Sequence, residues 1–156
     1  MALDDIARLL EQVVTGQKLQ FVLSHGDFNL SNLLINPSDN KLCGIVDWDL
    51  SETDGLPLLD IFHLILSRYR FTKGFGIGKA VTRILFPHTF DEQDKKLIEK
   101  HRQELNITDS LYQALAIMYW VKHSFYHIIW SDGNKSNEWM KANYFNVIEY
   151  LKYKIL

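Results

Sequence analysis

Residues 110–130 constrain the fold more than any other stretch. Leu111, Leu115, Met118, Val121, Phe125 and Ile129 recur at helical spacing, while Ile117, Trp120 and Ile128 cover much of the remaining circumference. A helix that is apolar nearly all round cannot stand at a surface, so it belongs in the centre of a helical body. The sequence supplies the enclosing elements. Residues 3–14 put Leu3, Ile6, Leu9, Leu10, Val13 and Val14 on one stripe, with Gly16 as a left-handed stop just beyond. Residues 58–69, 91–105 and 138–153 share the 3.6-residue period, and Asp91 and either Asp109 or Ser110 are suitable N-caps for the helices that start there. Gly74, Gly76 and Gly78 mark a flexible bend, and residues 131–134 a loop between the last two helices.

At 156 residues the chain is expected to form one domain, 1–156, whose folding buries roughly two-thirds of the unfolded surface. The single cysteine, Cys43, allows no internal disulfide, so a reducing, cytoplasmic setting is expected. Neither a membrane span nor a signal peptide fits the placement of charge. The net charge of -2 hides a division: residues 1–65 carry ten carboxylates and three cations, and the remainder balances at +5. Acid concentrated in the first third suits a divalent cation better than a phosphate backbone, so nucleic acid is not an expected partner.

That acidic third has a different pattern. Residues 19–24 are apolar but too few for a helix, residues 25–32 form a polar loop, and 33–35 resume a strand-like run. Asn36-Pro37-Ser38-Asp39-Asn40 has turn chemistry, and residues 42–46 are again apolar, which predicts a hairpin. With the turn centred near residue 39, Asn32 faces position 46 and stands beside Asp47. Asp27 lies five residues before Asn32. Two carboxylates and an amide oxygen thus converge at one end of a ribbon, which is the chemistry of a hard cation such as Mg²⁺.

The segment His25-Gly26-Asp27-Phe28-Asn29-Leu30-Ser31-Asn32, followed by Ile45-Val46-Asp47-Trp48, resembles the catalytic loop and metal-binding aspartate of the aminoglycoside phosphotransferase and choline kinase family, small-molecule relatives of the protein kinases. Gly26 replaces the usual kinase Arg and Trp48 the usual Phe, and Gly55 with Asp60-Ile61-Phe62 resembles that family's continuation. The resemblance implies an α+β, mainly helical fold: a protein-kinase-like C-terminal lobe with a small β-hairpin carrying the catalytic loop. It also implies Mg²⁺-dependent transfer of the terminal phosphoryl group of ATP or GTP to a hydroxyl of a small molecule. Asp27 would be the catalytic base, Asn32 and Asp47 the metal ligands, and His25 and Asp60 structural supports of the loop. Asp49 is either a carboxylate supporting the metal ligands or a solvated loop residue. No glycine-rich turn and no strand Lys accompany these residues, so the N-terminal nucleotide-binding lobe is expected to be absent from this chain and to come, if at all, from a larger polypeptide.

Other features are weaker pointers. Gly74, Gly76, Gly78 and Lys79 match neither phosphate-loop nor dinucleotide spacing and predict a flexible connector. His123 and His127 have metal-ligand spacing, but Ser124 stands where a zinc protease needs Glu, which favours a packed or capping pair. Trp120, Trp130, Trp139 and Tyr126 suggest either core packing or an aromatic box for a quaternary ammonium acceptor. The positive balance of the helical part disfavours a polycationic aminoglycoside and favours a neutral or anionic hydroxylated acceptor such as a sugar. Two other readings remain: a catalytically silent kinase-like binding domain, and a metallophosphoesterase. The latter lacks the Asn-His and Gly-His pairs that such enzymes use.

Overall fold

The structure, a computed structural model, describes residues 3–130 and 136–154, so the loop expected at 131–134 lies outside the described residues. Helix α1 (Leu3–Val14) is followed by strand β1 (Val22–Ser24), a 3₁₀ turn (Leu30–Asn32), and strands β2 (Leu33–Ile35), β3 (Leu42–Ile45) and β4 (Glu52–Gly55). The rest is helical: α2 (Leu59–Lys73), α3 (Ile77–Ala80) running into a π-helical turn (Val81–Leu85), α4 (Glu92–Glu104) and α5 (Asp109–Trp130). The chain then enters α6 (Asn137–Met140), which passes through a second π-helical turn (Lys141–Phe145) into α7 (Asn146–Lys154). The fold is α+β and mainly helical, with two small antiparallel sheets.

The hairpin has the register that its turn predicts. Leu33 pairs with Ile45 and Leu34 with Gly44, and an irregularity before Ile35 absorbs one residue. The other ribbon was not legible in the sequence. Glu52-Thr53-Asp54-Gly55 has no apolar alternation, yet it pairs antiparallel with β1, Val22 opposite Gly55 and Ser24 opposite Glu52. Backbone pairing to an apolar neighbour, rather than its own pattern, makes it a strand.

The core gathers around α2 and the first half of α5. Phe62, Leu66, Leu115, Ile117 and Trp120 are enclosed with Val81 and Leu85 after α3, Ile98 of α4, and Val147 and Leu151 of α7; Ile6 anchors α1. Each such side chain contributes about 1.5–3 kcal/mol relative to exposure. The expected enclosure of α5 holds only at its N-terminal end. Phe125 is 63% and Trp130 75% exposed, and Ile129 is exposed as well. At 22 residues the helix is roughly 33 Å long and runs past the core that surrounds its start.

The glycine stretch is not a flexible connector. Gly74 caps the C-terminus of α2 in the left-handed region, and Gly78 is buried inside α3. A Cβ on Gly78 would sit 2.1 Å from the Ala142 carbonyl oxygen, so glycine here permits helix-to-helix contact. Asn143 completes the junction: its Oδ1 accepts from the Gly78 amide at 2.9 Å, its Nδ2 donates to Trp139 O at 3.1 Å, and its carbonyl accepts from Trp120 Nε1 at 3.0 Å. Among the described residues, no helix is long and apolar enough to cross a membrane.

Candidate active site

The loop between β1 and the 3₁₀ turn is fixed from both sides. Asp60, in the first turn of α2, accepts from the backbone amides of His25 (2.6 Å) and Gly26 (3.1 Å). These are charge-assisted bonds to donors that would otherwise be orphaned. The His25 ring spans to the hairpin, with Nε2 2.9 Å from the Val46 carbonyl, while Nδ1 accepts from the Asp27 amide at 3.3 Å. Since a carbonyl only accepts and an amide only donates, the ring is the Nε2–H tautomer. Trp48 packs on it at 4.6 Å between centroids and donates to the Ile45 carbonyl. Gly26 has φ +83°, and a Cβ there would lie 2.2 Å from the Leu50 carbonyl oxygen. A side chain at that position, arginine included, would have no space.

This anchoring presents Asp27. His63 Nε2, from α2, donates to Asp27 Oδ1 at 2.9 Å, and Asn32 Nδ2 reaches Oδ2 at 3.3 Å. Asn32 Nδ2 and Asn29 Nδ2 also donate to the Asp27 carbonyl, at 2.9 and 3.2 Å. Chiefly the His63 hydrogen bond, against the opposing effect of burial, holds the Asp27 carboxyl down to about 2. Asp27 is therefore a carboxylate throughout the neutral range.

Because Asn32 commits its amide nitrogen to Asp27, its Oδ1 is the atom left for a cation. The Val46 amide donates to the Asn32 carbonyl at 3.0 Å, so the backbone sets Asp47 next to Asn32's cross-strand neighbour. Asp47 has φ +66°, is exposed, and makes no hydrogen bond or ion pair with the described residues. A non-glycine residue in the left-handed region costs about 1–2 kcal/mol. Asp49 is also exposed and without such a partner among the described residues. Among those residues no three His, Cys, Asp or Glu side chains surround a metal position. The oxygen set that remains, an amide and one or two carboxylates, fits Mg²⁺, which keeps several positions for water and phosphate oxygens.

A cavity of about 300 Å³ opens between this loop and α5, lined by Asp27, Glu52, His63, Tyr119, Lys122 and His123 among others. Lys122 and Glu52 form an ion pair of 2.8 Å across its wall. A second cavity of about 280 Å³ shares Asp27, His63, His123 and His127 and adds Ser31 and Arg70. Asp27 thus stands where the two meet. His123 and His127 lie 3.0 Å apart, Nε2 to Nε2, and burial lowers both pKa values, that of His123 strongly. They pack together on the cavity wall.

Sequence reasoning missed His63 and Tyr119. Neither carries a motif, and only the packing of α2 on α5 brings Tyr119 to His63 and backs the His63 bond to Asp27. The four candidate box aromatics do not form one enclosure: Trp120 is fully buried, Trp139 packs against the core, Tyr126 lines the cavity, and Trp130 is exposed.

Comparison with known proteins gives a matching direction. The profile of the Phosphotransferase enzyme family matches residues 2–92, more than half of the chain. Acyl-CoA dehydrogenase family member 11 of Mus musculus is 35% identical over 68 residues, covering 44% of this chain and 9% of that protein. Its Homo sapiens counterpart is 43% identical over 44 residues, 28% of this chain and 6% of that protein. A probable acyl-CoA dehydrogenase of Arabidopsis thaliana is 46% identical over 41 residues, 26% and 5% respectively. The chain thus spans less than a tenth of the curated relatives it matches. No solved structure matches.

Proposed function

The chain belongs to the Phosphotransferase enzyme family, and from that premise we propose that it carries the catalytic half of an enzyme moving the terminal phosphoryl group of ATP or GTP to a hydroxyl of a small molecule. The observation that carries this reading is the Asp27 carboxylate, held at the junction of two cavities by hydrogen bonds from His63 and Asn32. The acceptor oxygen forms a bond to phosphorus as the bridging oxygen leaves with the nucleoside diphosphate, and the hydroxyl proton passes to Asp27. With a carboxyl held near 2, Asp27 is a weak base that receives the proton late; its larger contribution is orienting the hydroxyl, in keeping with a loose transition state. Asn32 and Asp47 would hold Mg²⁺, whose charge, when bound, offsets that of the phosphates.

The acceptor we favour is a neutral or anionic hydroxylated molecule such as a sugar. Of the carboxylates that line the cavity, Glu52 is paired with Lys122, Asp60 with the His25 and Gly26 amides and Asp27 with His63, and Arg70 adds positive charge, which disfavours a polycation. The ribbons and the segments beside them also expose Phe21, Leu23, Ile35, Leu42, Trp48 and Leu50, apolar side chains suited to cover by a nucleotide-binding lobe on the same or another polypeptide.

The test is phosphoryl transfer from Mg²⁺-ATP or Mg²⁺-GTP to a panel of sugars and aminoglycosides. Asp27→Asn should lower kcat by about 10²–10⁴-fold without loss of folding. Unchanged turnover in that variant would remove Asp27 as the base, absence of transfer to any acceptor would sink the phosphotransfer reading, and a clear preference for aminoglycosides would sink the acceptor assignment.

A further inference from the structure

We propose that His63 is a positioning residue for the transfer reaction, clamped between Tyr119 and Asp27 so that it decides which oxygen of Asp27 meets the acceptor hydroxyl; this rests on the phosphotransfer reading above. His63 is 8% exposed and sits on α2 among core residues Phe62, Ile65 and Leu66. Both of its ring nitrogens are engaged: Nε2 with Asp27 Oδ1 at 2.9 Å, and Nδ1 with the Tyr119 hydroxyl at 3.0 Å. A carboxylate only accepts, so Nε2 carries the hydrogen, and in the neutral ring Nδ1 takes its hydrogen bond from the Tyr119 O–H. Tyr119 is 4% exposed, and burial raises its pKa, so its hydroxyl keeps the proton it donates. In that tautomer every donor in the chain Tyr119 to His63 to Asp27 points towards the carboxylate.

Two consequences separate this from a buried histidine that merely fills space. Oδ1 of Asp27 is occupied by His63, which leaves Oδ2, beside Asn32 at 3.3 Å, as the oxygen open to the acceptor. The proton is thus received at the end of the carboxylate nearest the proposed metal ligand. His63 itself has no free lone pair to take that proton, so it positions the base and does not replace it. His123 closes the clamp, packing on the His63 ring at 5.1 Å and on the Tyr119 ring at 5.7 Å between centroids.

The experiment uses the full chain in two arms. In ¹⁵N-histidine-labelled protein, the His63 Nε2–H proton should appear as a slowly exchanging, downfield resonance that disappears in Asp27→Ala. Its absence from the folded wild-type protein would overturn the clamp, whatever the turnover. In kinetics with Mg²⁺-ATP and glucose as the probe acceptor, His63→Ala should lower kcat about 10–100-fold with the KM for ATP within twofold. His63→Gln, which restores an N–H donor, should recover part of that loss. If Asp27→Asn loses turnover while folded His63→Ala keeps it, the ring is packing only and the inference fails. If neither variant changes turnover, Asp27 is not the base and the positioning role falls with it; if the folded wild-type protein transfers no phosphoryl group, the phosphotransfer reading itself fails.

Discussion

Asp27, Gly26 and Asp60 show how far single residues go. The spacing of Asp27, Asn32 and Asp47 is a sequence property, and in the structure the first two touch while the third follows the residue paired with Asn32. The requirement for glycine at position 26 is a structural property, because the Leu50 carbonyl that excludes a Cβ comes from a turn 24 residues later. Gly26→Ala should therefore destabilise the protein by about 2 kcal/mol or more, adding left-handed strain to a backbone clash. Urea unfolding at constant m-value measures it, and a loss under about 0.5 kcal/mol would contradict the packing described. Asp60→Ala leaves two amides without their carboxylate and should cost about 2–3 kcal/mol. The same variant should also lower phosphoryl transfer, since the Asp27 loop loses its anchor on α2.

Among elements, periodicity was a good guide where burial follows it. Helices α1, α4 and α5 and the hairpin of β2 and β3 start and stop near their expected positions, because capping and turn chemistry are local. It failed at β4, whose strand character comes from pairing with β1, and at α3, where glycines that read as a bend serve close packing. Gly78→Ala tests that packing. A methyl group 2.1 Å from the Ala142 carbonyl must push α3 from the π-helical turn. The expected destabilisation is about 1–3 kcal/mol despite alanine's better helix propensity, read as a drop in urea midpoint. A stabilised variant would mean that α3 and the turn after α6 do not touch.

For the whole molecule, three histidines tie stability to pH. His88, His123 and His127 all have pKa values lowered by burial, and neighbouring cations add to the effect: Arg102 for His88, Arg70 for His123 and His127. The unfolded chain binds protons near 6.5 more readily than the folded one. Stability from these groups is thus complete above that value and is lost as pH falls towards the folded pKa values. The melting temperature should decline between about pH 6.5 and 5, by roughly 2–4 °C for each kcal/mol lost. His123→Gln should flatten the decline, and a melting temperature that rises over that interval would refute the assignment. The carboxylate Asp27 enters only below its unfolded value of 3.8, so the two windows do not overlap.

The sequence by itself determined that a helical body would carry an acidic ribbon, with Asn32 bonded to Asp27 and paired across the hairpin with the residue before Asp47. Those relations depend on spacing within about twenty residues, where turn geometry and strand register leave few options. Only the tertiary structure decided what surrounds the carboxylate. His63, which bonds Asp27, and Tyr119, which bonds His63, are 56 residues apart and meet because α2 and α5 bury their apolar faces against each other. That contact is set by side-chain packing over long sequence distances, which leaves no local pattern from which to read it.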